Sequence, residues 1–305
     1  TFDYFTRTTK DMLIQLPIPG SVGFTSTLRN VGKIRNSGIE FSLKSVNLNK
    51  GFKWETTING STLQNEVLSL GDLPEIIGGK AISKPGEPLN SFYGYEILGV
   101  WQTNDDLSVT DDPVGPGMLK YRDVNGDRVV NADDLAILGN SFPEFSWGLD
   151  NQFSYSGISL SVFFEGVHGI QMMNENIWQT YSPTNFRRNK IAEPFLNRWT
   201  VDNPSNTYPS FVSDTQGNKG VNNYSIEDAS YIKLRSIKLG YDIPTKNIRP
   251  FNSMNVYLSG QNLLTITDYT GYDPSSNSYN NPSLKVDYSS YPSSRTIVMG
   301  VELEF

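Results

Sequence analysis

The sequence predicts an all-β fold made of antiparallel strands, and three observations support this class. Apolar and polar residues alternate along several segments, as they do in strands that have one apolar face. The 26 glycines and 17 prolines suit a chain with many turns, and aromatic residues, which favour strands, make up 12% of the chain. No stretch approaches the ~18 consecutive apolar residues of a membrane-spanning helix. If this 305-residue chain crosses a membrane, it does so with strands.

Eight segments show the alternation, and the second with the third, and the fourth with the fifth, form predicted hairpins. The apolar phase of the sixth segment shifts by one residue near Arg235, which predicts a β-bulge. In chain order the segments are 2–14, 39–44, 52–59, 145–155, 158–165, 231–241, 254–261 and 296–305.

The connections between these strands alternate in length. Those after the second, fourth and sixth strands are short, whereas those after the first, third, fifth and seventh are long. Short turns on one side and long loops on the other are typical of outer-membrane β-barrels. We therefore predict that residues 1–305 form barrel wall, with long extracellular loops at 65–144 and 169–228. Both exceed the ~12–15 residues usual for a structureless loop, so both should fold.

The apolar face of the strands is predicted to contact lipid. The opposite face carries many charged side chains, and several aromatic residues lie near strand ends, where aromatic girdles occur. The alternative is a soluble β-sandwich whose apolar face points inward. The lipid-facing positions predicted here are Phe41, Trp54, Leu160, Val162, Leu258 and Val301.

Composition excludes several classes of function. With 25 basic and 32 acidic residues the net charge is −7, which disfavours nucleic-acid binding. The absence of cysteine and the single histidine, His168, exclude disulfides, cysteine nucleophiles and multi-histidine zinc sites. Carboxylates on a water-facing barrel wall need no catalytic explanation. We predict that the chain is not an enzyme.

One loop has the ligand order of an EF-hand or dockerin calcium site. In residues 123–134, oxygen-bearing side chains occupy loop positions 1, 3, 5, 9 and 12, and a main-chain carbonyl falls at position 7. Arg128 replaces the usual glycine at position 6, and a helix is expected at 134–138. The alternative is a turn capped by its own Asn and Asp side chains. The predicted ligands of a structural Ca²⁺ are Asp123, Asn125, Asp127, the Val129 carbonyl and Asp134.

Aromatic residues in the two longest loops are candidate substrate contacts. Tyr93, Trp101, Trp178 and Tyr181 could stack on sugar rings or close a pocket around a peptide. The alternative is that they hold the loops together.

Six short segments carry a resemblance to a known family. They are LKYRDVNGD at 119–127, ILGNSFPEF at 137–145, YIKLR at 231–235, SGQNLL at 259–264, GYDP at 271–274 and YPSSRT at 291–296. In this order they resemble the SusC/RagA outer-membrane transporters, a group of TonB-dependent receptors.

The resemblance implies that this chain is the C-terminal part, ~8 strands, of a barrel of about 22 strands, with the plug domain outside this sequence. It also implies TonB-dependent import of oligosaccharides or peptides across the outer membrane of a Gram-negative bacterium. The implied partners are TonB and a SusD-like surface lipoprotein that closes the channel as a lid, in a dimer of transporter–lid pairs. The alternatives are a soluble extracellular, calcium-stabilised glycan-binding β-protein and a complete small outer-membrane barrel.

Overall fold

The computed structural model describes residues 1–17, 26–181, 189–211, 219–245, 250–278, 281 and 283–305. These residues form strands, two short helices, α1 (Asn176–Tyr181) and α2 (Ala192–Leu196), and single 3₁₀ turns. In the described part of the chain no helix is long and apolar enough to cross a membrane, a finding that concerns helices alone. The strands are β1 (Phe2–Pro17), β2 (Ser26–Asn49), β3 (Phe52–Thr62), β4 (Gln64–Ser69), β5 (Ile76–Gly78), β6 (Ala81–Ser83), β7 (Ser91–Gly94), β8 (Ile97–Val100), β9 (Leu119–Tyr121), β10 (Ala136–Gly139), β11 (Phe145–Tyr155), β12 (Ile158–His168), β13 (Gln171–Asn174), β14 (Ile226–Asp228), β15 (Tyr231–Asp242), β16 (Ser253–Ile266), β17 (Val286–Asp287) and β18 (Thr296–Glu304).

Eight long strands form one antiparallel sheet, which we call the wall. Its order is β1-β2-β3-β11-β12-β15-β16-β18, and β4 pairs with β2 beside this path. Each wall strand therefore lies next to the wall strand that precedes it in the sequence, which confirms the predicted up-and-down order. The intervening segments fold on the long-loop side of the wall.

Side chains of matching polarity line up across the wall. One row of directly paired positions runs through six strands on the apolar face, and it consists of Leu43, Ile58, Leu149, Phe164, Leu234 and Leu264. A second row, nearer the short turns, consists of Leu48, Trp54, Phe153, Leu160, Leu239, Leu258 and Met299. Because side chains alternate faces, this shared register turns the alternations of seven strands into one continuous apolar surface.

Aromatic rings on the apolar face cover glycines in the neighbouring strand. Phe41 lies directly opposite Gly60, and Trp147 lies opposite Gly166. A Cβ atom at Gly166 would lie 2.3 Å from the Trp147 ring, and one at Gly60 would lie 2.6 Å from the Phe41 ring. The absence of a side chain at these two positions lets the rings lie flat against the sheet.

One polar side chain on the apolar face is satisfied within the wall. Asn151 accepts hydrogen bonds from the Trp54 indole nitrogen at 3.1 Å and from the Thr56 hydroxyl at 2.7 Å. The alternation in β11 places Asn151 among apolar residues, where an unpaired amide would be costly. The two neighbours on β3 remove that cost for the side-chain oxygen of Asn151.

The predicted β-bulge is present. The pairing of β15 with both neighbouring strands shifts at Arg235, between Leu234 and Ser236. Opposite the bulge, Asn262 has a φ of 53° and its side-chain oxygen accepts a hydrogen bond from Arg235 at 3.0 Å. Asparagine tolerates this left-handed conformation better than most residues, which explains its presence at the centre of the SGQNLL segment.

The first connection differs from the prediction. We expected a long loop after the first strand, but β2 already begins at Ser26 and pairs with β1 from there. Residues 26–38 are rich in polar and glycine residues and show no single apolar face, so alternation could not reveal them. Main-chain pairing with β1 and β4, rather than burial, forms this half of the strand.

The two long segments fold into small sheets with their own cores. The sheets have the orders β10-β7-β6-β5, β14-β13-β17 and β8-β9. One buried cluster joins three separate parts of the chain through Phe92, Met173 and Val286. A second cluster contains Val100, Leu119 and Trp199. The long segments thus pack on one another.

A buried ion pair attaches to the wall the segment between β16 and β18, which we call the last segment. The ammonium of Lys233, on β15, lies 2.7 Å from a carboxylate oxygen of Asp273, and the two side chains are only 1% and 6% exposed. The second oxygen of Asp273 accepts a hydrogen bond from the main-chain N–H of Ser293 at 2.9 Å. Three of the six segments that carry the family resemblance, YIKLR, GYDP and YPSSRT, meet at this pair.

We expect a charged side chain on the apolar face to lower the free energy of unfolding by an amount that depends on its depth in the bilayer. Leu149 lies near the middle of β11, whereas Leu160 is only three residues from the Ser156-Gly157 turn and so lies near the short-turn end of the wall. Leu149→Arg should lower the free energy of unfolding by about 2–4 kcal/mol and Leu160→Arg by about 0–1 kcal/mol. Urea titration of the full-length protein folded in lipid vesicles measures both. Equal losses would contradict a lipid-facing surface.

We expect Asp273→Asn to release the segment between β16 and β18. The change leaves Lys233 buried without a counter-ion, which typically costs about 3–5 kcal/mol. Hydrogen exchange of residues 283–287 in the full-length protein measures the release, and a Lys233→Met/Asp273→Leu double variant is the matched control that removes both charges.

We expect acid to release the segment between β16 and β18 in the wild-type protein as well. Burial alone would raise the pKa of Asp273, but hydrogen bonds from Lys233 and Ser293 hold that pKa well below its usual range. The ion pair therefore contributes fully above pH about 4, the pKa of an unfolded aspartate, and its contribution is lost as the pH falls further. Protection of residues 283–287 that stays constant from pH 6 to pH 2 would contradict this role.

Candidate functional site

The main candidate site is a cavity between the two long segments. It has a volume of about 590 Å³ and is bounded by the sheet that contains β5 and β7 on one side and by β13 and α1 on the other. We call it the loop cavity. Its apolar lining includes Ile77, Leu135 and Val221. Cavities of this size with a few polar groups are typical of ligand sites.

Three aromatic side chains line the loop cavity. Tyr93 and Trp178, both predicted as substrate contacts, lie here together, and Tyr95 joins them. The ring of Tyr95 packs edge-on against Tyr121 with the ring centres 5.8 Å apart. Trp178 packs against the cluster that contains Val100 and Leu119. The rings of Tyr95 and Trp178 are thus held in place by neighbours outside the cavity.

The charged groups of the loop cavity are paired across the two segments. Lys80, which precedes β6, forms an ion pair with Glu175, which follows β13. Lys219 donates from its ammonium to the Val130 carbonyl and lies 3.9 Å from a carboxylate oxygen of Asp112. These contacts connect residues that are between 89 and 107 positions apart in the sequence.

Trp101 lies in a different place from the other predicted aromatic residues. It is 5% exposed, it lines a second cavity of about 460 Å³, and the Lys120 ammonium lies 4.3 Å from its ring centre. Its burial favours a role in holding the loops together. Tyr181 was also predicted as a substrate contact, but its side chain lies outside the described residues.

Some lining residues were missed by sequence reasoning. Tyr95 had a usable signal, because it stands two positions after Tyr93 and the period of a strand places both on one face. For Lys80, Glu175 and Lys219 the sequence carried no signal of a place in the cavity. They lie in irregular segments, and only tertiary packing brings their charges together.

The predicted calcium loop folds around its own main chain. One oxygen of Asp123 accepts the N–H of Gly126 at 2.6 Å, and the other accepts the N–H of Arg128 at 2.7 Å. Asn125 accepts the N–H of Asp127, and Asp127 accepts the N–H of Val129, both at 2.9 Å. These bonds bring four of the five predicted ligands into one turn.

Asp134 closes the loop. It is fully buried, and its two oxygens accept main-chain N–H groups of Val124 at 2.7 Å and Asn131 at 2.8 Å. Burial alone would raise the pKa of Asp134, but these N–H donors, with that of Asn125, hold the pKa below its usual value. The buried carboxylate is therefore negatively charged at neutral pH.

Two details of the loop differ from or extend the prediction. The expected helix at 134–138 is wrong: a 3₁₀ turn at Ala132–Asp134 leads into strand β10, because residues 136–139 pair with β7. Arg128 has a φ of 73°, and its guanidinium points away from the loop to Asp111 at 3.2 Å. The centre of the loop is thus left to oxygen atoms.

The oxygen-only donor set suits a hard cation such as Ca²⁺, since each hydrogen-bonded carboxylate oxygen retains a further lone pair. Among the described residues, the His, Cys, Asp and Glu side chains form no group of three or more that could hold a metal ion as they stand. Calcium binding stays a prediction.

The comparisons with known proteins agree on one family. The family model described as TonB dependent receptor-like, beta-barrel matches residues 1–263. TonB-dependent receptors P3 and P26 of Formosa agariphila are both 32% identical to this chain, over 327 and 324 residues, and the matches cover 100% and 99% of it. Solved structures of the RagAB peptide transporter and of the RagAB peptide importer in the 'open-open' state match 100% of the chain, with identities of 29% and 28% and TM-scores of 0.82 and 0.81.

The antiparallel wall with its exposed apolar face and these matches define the class of protein, an outer-membrane β-barrel. The chain belongs to the TonB-dependent receptor β-barrel family and is SusC/RagA-like. The predicted family, fold class and outer-membrane location are thereby confirmed. The chain spans about a third of its relatives, 32% of the two receptors and 33% and 32% of the two solved chains.

We expect the 123–134 loop of the full-length protein to bind Ca²⁺ and its terbium analogue. Asp127→Asn should weaken terbium binding at least about tenfold, because it removes one negative charge from the ligand set. Asp133→Asn is the matched control: it removes the same charge from an exposed neighbour that is not a predicted ligand. Terbium luminescence measures both variants. Equal affinities for the two, or no binding by the wild type, would contradict a calcium site.

Proposed function

We propose that this chain is part of the channel of a TonB-dependent importer that takes up oligosaccharides or peptides, as a SusC-like subunit. The observation that supports this most strongly is the match to the RagAB structures over 100% of the chain. Those structures are of a peptide transporter, and the proposal extends the transport role to this chain. In this role the chain catalyses no covalent chemistry.

The distribution of polar groups on the wall fits such a channel. The face opposite the apolar rows carries paired charges, such as Lys44 with Glu55 at 2.8 Å and Lys238 with Glu302 at 3.5 Å. Charged groups on one face only are expected where that face meets water inside a barrel. The loop cavity and its neighbour lie in the long segments beyond the wall strands.

The proposed partners are TonB and a SusD-like surface lipoprotein, in a dimer of transporter–lid pairs. The long segment between β12 and β15 presents large apolar side chains to solvent, with Leu196 76% and Val201 73% exposed. They flank Trp199, which is buried, so their positions are fixed by a packed residue between them. Exposed apolar groups held in this way suit a protein partner.

We expect uptake of the substrate to require both TonB and this surface. The full-length transporter is produced in its own host, and uptake of fluorescent peptides and of fluorescent oligosaccharides is measured with and without TonB. A Leu196→Asp/Val201→Asp variant should lose most of the co-purifying lipoprotein and most of the uptake, because two charges replace the apolar contact.

Asp202→Asn is the matched control, since it changes an exposed neighbour and leaves the apolar surface intact. Uptake that persists without TonB would contradict the importer. Normal lipoprotein recovery by the Leu196→Asp/Val201→Asp variant would contradict the docking surface.

A further inference from the structure

Basic residues are concentrated in the first two strands of an otherwise acidic chain. Residues 7–35 contain five basic residues and one acidic residue, whereas the remainder of the chain contains 20 basic and 31 acidic residues. Three of the five basic residues, Lys10 on β1 and Lys33 and Arg35 on β2, lie towards the long-loop side of the wall. A local positive charge in a chain of net charge −7 indicates an anionic ligand or partner.

The three basic residues lie on the apolar face of the wall. Phe41 lies on that face, and β1 pairs with positions 34–41 of β2 without a shift. Because side chains alternate between faces, Arg35 and Lys33 lie on the same face as Phe41. Lys10 lies beside Lys33, where the register of β1 shifts. The apolar face of these two strands therefore ends in positive charge.

The depth of these residues matches the edge of the bilayer. On β2 the apolar face runs from Leu48, beside the short turn, to Ile39, and both side chains are exposed. This stretch has the length of about 9–11 residues that a tilted strand needs to cross the hydrocarbon core. Arg35 and Lys33 follow beyond Ile39 and thus lie at the level of the lipid headgroups.

Two of the three charges have no counter-ion among the described residues. Arg35 forms an ion pair with Glu66 at 2.5 Å. In the described part of the chain Lys10 and Lys33 have no carboxylate oxygen within 4.0 Å, and Asp11, next to Lys10, forms no ion pair either. Lys33 already has a paired strand on each side, β1 and β4. Its ammonium is therefore available to an anion from outside the sheet.

The other wall strands do not share this basic end. On the apolar face, the long-loop ends of β11, β15, β16 and β18 carry uncharged residues, which are Phe145, Ile232, Ile266 and Ile297. A ligand that contacts both the apolar face and the two lysines combines an apolar part with an anionic part nearer the surface. A membrane lipid with a phosphate headgroup has this arrangement. A free anion lacks the apolar part.

We propose that Lys10 and Lys33 bind the phosphate groups of an anionic lipid in the outer leaflet, whose acyl chains pack against the apolar face of β1 and β2. The two ammonium groups act as point charges towards phosphate. Ile39 and Phe41 provide the apolar contact on the core side of these charges. This inference concerns the surrounding membrane and does not rest on the proposed import function.

The test titrates the full-length transporter, purified in detergent, with lipid A that carries both phosphates and with lipid A from which they have been removed. Native mass spectrometry counts the bound lipid. Lys10→Gln/Lys33→Gln removes the two proposed contacts. Lys50→Gln/Lys53→Gln is the matched control, since it removes the same two charges from exposed lysines at the short-turn end of β2 and β3.

The wild type should prefer the phosphorylated lipid. Lys10→Gln/Lys33→Gln should weaken its binding about 10- to 30-fold, because each basic residue near an anionic surface contributes about fivefold. The control should change it less than about twofold, and Lys10→Arg/Lys33→Arg should restore it. All forms should bind the dephosphorylated lipid equally, since the apolar face is unchanged.

Four results would each overturn the proposal. The first is equal binding of the two lipids by the wild type, and the second is an equal loss in the two glutamine variants. The third is displacement of the lipid by inorganic phosphate at the concentration of the lipid, which would indicate a site for the free anion. The fourth is unchanged lipid binding by Lys10→Gln/Lys33→Gln together with loss of a co-purifying protein, which would assign the two lysines to a protein partner.

Discussion

Main-chain hydrogen bonding in lipid is the constraint on which this structure depends. A strand in the hydrocarbon region must pair all of its N–H and C=O groups with neighbouring strands, because no water replaces a missing partner. Between β1 and β18 the wall meets this requirement by antiparallel pairing of every neighbouring pair of strands, and among the described residues only the outer edges of β1 and β18 face no strand of this sheet. Features of the apolar face follow from this pairing, such as the rings that cover Gly60 and Gly166 and the side-chain oxygen of Asn151 that accepts hydrogen bonds from two β3 side chains.

The folded segments on the long-loop side depend on the wall in turn. The buried pair of Lys233 and Asp273 fixes the last segment to β15, and the same segment supplies Val286 to the cluster around Phe92 and Met173. Wall, last segment and long loops are thus connected through one ion pair and one apolar cluster. This connection gives the loop cavity fixed walls although no wall strand lines it.

Burial separates two kinds of aromatic residue in these loops. Trp101 and Trp199 are nearly inaccessible and have partners within the loops, so they act as core residues. Tyr93, Tyr95 and Trp178 are half-buried and border an open volume. For Tyr93, Trp101 and Trp178, sequence alone offered contacting a ligand and holding the loops together as alternatives. The structure places the first group in the loop cores and the second group at the edge of a cavity, and contact with a ligand stays a prediction for the second group.

The sequence by itself determined the strands of the wall, their order, the bulge at Arg235 and the family, because alternation and local motifs are properties of neighbouring residues. It could not show the polar half of β2, which main-chain pairing stabilises, or the strand β10, where pairing with β7 replaces the helix that an EF-hand would have. The sequence also could not predict the loop cavity. Lys80 and Glu175 line the cavity as an ion pair between residues 95 positions apart. Such a contact forms only when the chain has packed.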